Sequence, residues 1–208
     1  MDGVFVYWLG WLFWVVITFF CRVHSKNYWR SCALLLLLIL IPYELKVVSQ
    51  SFHIVYIILA IYLYDQIRLL RKREKYFSFL LMTLSVAACF AGFRLLLIYD
   101  PVIAFIDSRW LLASLVSAIG YFLVSTLKMK CLLSISGLIH GEFLYSLTPF
   151  FDQNASVGNL YFFDIVGIVC MYYALGYFLQ LLVTFISSHI KGYVIVRTGR
   201  QYSGNQLK

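Results

Sequence analysis

Five ionisable side chains, Glu44, Arg94, His140, Glu142 and Asp164, fall inside or at the ends of long apolar runs. A charge in hydrocarbon costs about 2.5–3.5 kcal/mol at a helix centre on insertion scales, so such groups face a protein interior and find partners there. Two chemistries fit these residue types. Arg94 and the carboxylates can line a polar pocket for a solute, ion or proton. Alternatively, Arg94 pairs with Glu142 or Asp164 and ties helices together, while Glu44 and the nearby Lys46 reach back toward water.

Other chemistry finds less support. His140 and Glu142 are two apart, so on a helix they point about 200° away from each other and do not chelate one ion; no metal and no cofactor are expected. The five cysteines are scattered through apolar segments or their ends without a CxxC pair, which fits packing residues better than a zinc site or disulfides. Ser136 and Gly137, in SISGLIHG, resemble the serine helix of rhomboid proteases over a few residues. The seventh apolar segment has no histidine to act as base, and His140 shares a helix with Ser136, so no dyad follows. No motif fixes a reaction, and the chain is expected not to be an enzyme.

The elements that must position these groups follow from composition. Of 208 residues, 62% are hydrophobic and 12% charged, against about 25% charged in soluble domains. Runs of about 20 apolar residues, each able to cross a hydrocarbon core about 30 Å thick, account for that excess. The expected class is all-α, a polytopic transmembrane bundle of about seven helices spanning residues 3–21, 31–49, 53–70, 76–99, 110–127, 131–147 and 160–186. These make one membrane domain over residues 1–190, followed by a basic tail over 191–208 whose last residues are expected to be disordered. The second and third segments are the least secure pair, because they could instead form one re-entrant hairpin. Small residues at spacing four, Ser85, Ala88, Cys89 and Gly92 in the fourth segment and Gly137 and Gly141 in the sixth, suggest helix-packing faces.

Direction comes from the basic residues. Arg68, Arg71, Lys72, Arg73 and Lys75 form a topology anchor between the third and fourth segments, and 14 of the 17 Lys and Arg residues fall in the loops and tail on its side. The positive-inside rule then sets the N-terminus outside and the C-terminus in the cytoplasm. The net charge of +8 is thereby used in short loops beside apolar segments, which argues against nucleic acid and allows attraction to anionic lipid headgroups. In this register Glu44, Arg94, Glu142 and Asp164 lie about four to six residues from outer helix ends, roughly 6–9 Å deep. His140 falls slightly deeper. Groups so near an interface pay less than the central cost, which favours interhelical pairing over a pocket.

The opening YWLGWLFWVVITFF followed by a basic loop, together with length and segment count, resembles the YphA-type family of small bacterial membrane proteins. That resemblance implies a cell-membrane protein and supplies no catalytic or binding residues. Helices one to three and five to seven also run in the same directions about a linking fourth, a layout similar to the parallel repeats of small sugar transporters, but their proline-glutamine motif is absent. The expected function is therefore a non-enzymatic interaction or accessory protein with the bilayer and a membrane-protein partner around it, and a small-solute or ion transporter is the alternative. A cavity above about 300 Å³ around Arg94 and two carboxylates would favour transport. Dry pairs with a separate apolar groove would favour partner binding.

Overall fold

The structure is a computed structural model that describes residues 2–20, 25–47, 50–68, 73–103, 106–148 and 156–204. Among these, the apolar runs form seven helices: α1 (Val4–Phe20), α2 (Ser25–Leu40), α3 (Ile54–Arg68), α4 (Arg73–Tyr99), α5 (Ser108–Leu123), α6 (Leu127–Ser146) and α7 (Leu160–Gly204). Among the described residues the fold is all-α apart from one hairpin, β1 (Glu44–Val47) paired antiparallel with β2 (Gln50–His53). Tyr76–Tyr99 and Leu160–Ser187 are long and apolar enough to cross a membrane, while Val4–Phe19, Ser31–Leu40 and Ser108–Leu123 are shorter apolar helices.

The hairpin corrects the helix expected over 31–49. Pro42 offers no N–H and its ring clashes with the carbonyl four residues back, so the helix stops at Leu40. Tyr43 N–H closes the last turn on the Leu40 carbonyl at 3.1 Å, and the chain continues as a strand in which Glu44 stands opposite His53. Glu44 is thus on a hairpin and exposed, not at depth within a helix. The α7 backbone continues past 186 and stays helical to Gly204, with no proline after Leu160 to interrupt it; the last four residues, 205–208, expected to be disordered, lie outside the described residues. Of the anchor residues, Arg68 ends α3 and is exposed, and Arg73 and Lys75 lie in the first turn of α4; Arg71 and Lys72 fall outside the described residues. Lys130, expected in a loop, is a buried residue of α6 with its ammonium 3.4 Å from the centre of the Tyr121 ring.

The chain divides into two compact units, Met1–Met171 and Tyr172–Lys208. The core of the first is built on α6, which packs most extensively on α4 and also meets α3 and α5. Its glycines make this possible: a Cβ at Gly141 would lie 3.0 Å from the Ala87 carbonyl oxygen and 2.7 Å from Phe90, and one at Gly137 would press on Val86. The expected packing face of α6 is therefore present, but that of α4 is corrected. Ser85, Ala88, Cys89 and Gly92 are exposed, and the buried stripe is Thr83, Val86, Ala87 and Phe90. Small residues on α6 receive large ones from α4, so the seam needs them on one side alone.

A paired substitution separates the two glycine environments. Gly141→Ala is expected to destabilise the protein by about 1–3 kcal/mol through overpacking against the α4 backbone. At Gly92 nothing lies within 4 Å of an added Cβ, so Gly92→Ala is expected to gain up to about 1 kcal/mol from helix propensity. Unfolding by denaturing detergent in mixed micelles measures both.

The second unit is the remainder of α7 from Tyr172. Its residues from Phe178 to Ser187 are exposed all around the helix, including Phe178, Leu181, Val183 and Phe185. A stretch apolar on every side is solvated by lipid or by other membrane helices, not by water.

Candidate functional site

The charges close into separate pairs. Arg94 of α4 reaches the Glu142 carboxylate of α6, with side-chain exposures of 13% and 0%. The guanidinium also lies 4.1 Å from the centre of the Tyr145 ring and 5.3 Å from that of Tyr161. These contacts replace the hydration that the arginine gives up. The positive φ of Gly158, +74°, carries the chain closely past Tyr56, whose hydroxyl donates to the Ile139 carbonyl at 2.8 Å. That places α3 and the segment before α7 against the same part of α6.

Asp164 belongs to a second cluster. Its carboxylate is fully buried and accepts from Arg109 Nη1 at 3.0 Å, Gly3 N–H at 2.8 Å and Val6 N–H at 2.8 Å. The last two are among the N–H groups that the start of α1 leaves without helical partners, so Asp164 caps that helix from across the fold and meets its positive dipole end. Arg109 also pairs with Asp2, and its Nε lies 3.8 Å from Asp107. Tyr161 stands between the clusters, with its ring 5.3 Å from the Arg109 guanidinium and its hydroxyl 2.6 Å from Ser108 Oγ.

Glu44 joins a third group. The Ser156 hydroxyl donates to Glu44 Oε1 at 2.9 Å and lies 2.8 Å from His53 Nε2, while His53 Nδ1 donates to the Ile41 carbonyl at 2.7 Å. Backbone bonds from His53 N–H to the Val157 carbonyl and from Val157 N–H to the Ser51 carbonyl run alongside. A Ser–His contact can activate a nucleophile, but this hydroxyl gives its hydrogen to Glu44 and both residues are buried. The network clips the hairpin to the segment before α7.

The five sequence candidates therefore do not form one polar chamber. Arg94 and Glu142 come together as expected of an interhelical pair, Asp164 takes Arg109 instead of Arg94, and Glu44 remains on the hairpin. His140 is exposed on the opposite side of α6 from the buried Glu142, as residues two apart must be. Arg109, Asp2, Ser156 and Tyr161 were not singled out from the sequence as members of a site. Arg109 carried one usable signal, since Asp107 two residues before it makes a capping motif: the aspartate side chain accepts from Arg109 N–H at 3.0 Å at the start of α5.

A cavity of about 470 Å³ lies elsewhere in the first unit, between α3, α4 and α6. Among the described residues its lining includes Leu63, Phe79, Ser136 and His140 and no Lys, Arg, Asp or Glu. No cluster of His, Cys, Asp and Glu suited to a metal ion occurs among the described residues.

Buried charge pairs, lipid-length apolar helices and exposed apolar faces define the class as an integral membrane protein of helical construction. The sequence pattern of the YphA-like integral membrane proteins matches residues 2–197, and the chain belongs to that family. No curated protein matches it, and no solved structure does.

Proposed function

We propose that the protein is a non-enzymatic, multi-pass accessory protein of the cell membrane that acts by holding a membrane-protein partner. In this reading the N-terminus is outside, the C-terminus is cytoplasmic, and the basic stretch Arg68 to Lys75 sits at the inner surface near anionic headgroups. The observation that carries it is the closure of Arg94 onto Glu142 and of Arg109 onto Asp164, with the cavity of about 470 Å³ lined by other residues. A solute pathway built on these charges needs them to face open volume. Here they are used in joining α4 to α6 and α5 to α7.

Affinity purification of the intact complex from solubilised membranes, with identification of proteins and small molecules together, tests the reading. A reproducible, near-stoichiometric membrane-protein partner is expected. A retained polar solute without such a partner would overturn it in favour of transport. For topology, cysteines replacing Lys72 and Asp152, which lie outside the described residues, should label from opposite sides, with Asp152→Cys alone accessible from outside. Labelling of both from outside contradicts the orientation.

A further inference from the structure

We infer that the cavity between α3, α4 and α6 binds a neutral lipophilic alcohol, whose hydroxyl is held between Ser136 and His140. This goes beyond the accessory role and does not depend on it.

The volume, about 470 Å³, falls within the roughly 300–1,000 Å³ of small-molecule sites. The lining is largely aliphatic and aromatic, so a hydrocarbon body fits it. Its polar demands are specific. Ser136 is 1% exposed, lines the cavity, and among the described residues its Oγ has no hydrogen-bond partner. A buried hydroxyl without a partner is unusual enough to require one. One turn further along α6, His140 Nδ1 lies 2.8 Å from the Ser136 carbonyl oxygen. A carbonyl oxygen only accepts, so Nδ1 carries a hydrogen, and the tautomer this selects presents Nε2 as an acceptor.

The other polar groups of the lining lie off α6. The Thr83 hydroxyl is bound to the Phe79 carbonyl at 2.9 Å, and Tyr64 and Tyr76 are exposed and half-buried. On α6 itself the cavity meets a donor, Ser136 Oγ–H, and an acceptor, His140 Nε2, one turn apart on the same face. A single hydroxyl satisfies both, accepting from the serine and donating to the histidine. A carboxylate lacks the hydrogen that His140 needs and meets no cation among the described lining residues, so there it loses its hydration without compensation. A plain hydrocarbon leaves both groups unmet. Water can bridge them but does not fill the apolar remainder. His140 is exposed at the cavity edge, which gives an alcohol a way in from the surrounding lipid.

The test uses the full chain in phosphatidylcholine nanodiscs, labelled with photoreactive C16 probes of equal chain length ending in an alcohol, a carboxylic acid or a methyl group. The alcohol is expected to crosslink to peptides of α3, α4 and α6 at least about tenfold more than the acid or the hydrocarbon, and Ser136→Ala and His140→Phe are each expected to remove about tenfold of that labelling. Ser85→Ala, on the exposed side of α4 with its hydroxyl bonded to the Leu81 carbonyl, should leave it unchanged. Because His140 is exposed, His140→Phe reports on binding even if Ser136→Ala disturbs folding. Equal labelling by the three probes, or full alcohol labelling in His140→Phe, would overturn the assignment and leave a passive apolar cavity.

Discussion

Glu142→Ala is expected to destabilise the protein by about 3–5 kcal/mol, because it leaves the Arg94 guanidinium in a largely buried site without its counter-charge. The carboxylate is fully buried and the arginine side chain only 13% exposed, so solvent screening offers little relief. Tyr145 and Tyr161 flank the guanidinium, but ring faces stabilise a cation by only about 0.5–2 kcal/mol each. Arg94→Ala should cost a similar amount for the reciprocal reason. Unfolding midpoints in mixed micelles, read against exposed Ser85→Ala, provide the measurement.

Asp164→Ala should be comparably damaging, about 3–5 kcal/mol, with the effect centred on a different element. The carboxylate accepts from Gly3 N–H, Val6 N–H and Arg109; its removal takes the fully buried one of Arg109's carboxylates and reopens two N–H groups at the start of α1. Asp164→Asn keeps an acceptor for α1 but loses one of the charges facing Arg109, so it should recover only part of the loss. Arg109 retains Asp2 and Asp107 nearby, so the damage should concentrate at α1. Hydrogen exchange at Gly3 to Tyr7 should therefore rise more than exchange in α6. Uniform protection across both helices would show that Asp164 does not tie α1 to the bundle.

The helices themselves were legible because uninterrupted apolar runs carry their own signal, and six of the seven begin within a few residues of the expected positions. The second begins earlier, at Ser25, and ends earlier, at Leu40; its end was missed because hydropathy treats Leu45 and Val47 alike in a helix or a strand, and the decisive residue was Pro42. The face of α4 was misread for a different reason. Spacing of small residues marks a possible seam, but the side that packs depends on the opposing helix, and Gly137 and Gly141 favour Val86 and Phe90 over Gly92. At the candidate site, the sequence indicated which groups needed partners without indicating which partners they would take. Asp164 and Gly3 are separated by 161 residues, and only the packing of α1, α5 and α7 brings Arg109, assigned to a loop, into the same cluster. His140 stood apart from Glu142 on helical geometry alone, which is why the cavity it edges is distinct from the charge pairs.

The central claim, that the buried charges hold helices together and do not serve a solute pathway, is tested most directly by replacing Arg94 and Glu142 together with leucine. When both members of a buried pair give way to apolar groups of similar volume, stability is commonly retained or raised by about 1–4 kcal/mol, in contrast to the loss in each single variant. The account predicts that outcome, with partner association in co-purification unchanged. A double variant that folds as well as the parent yet loses a measured solute binding or flux would contradict it, and Arg94 and Glu142 would then have to be reassigned to function.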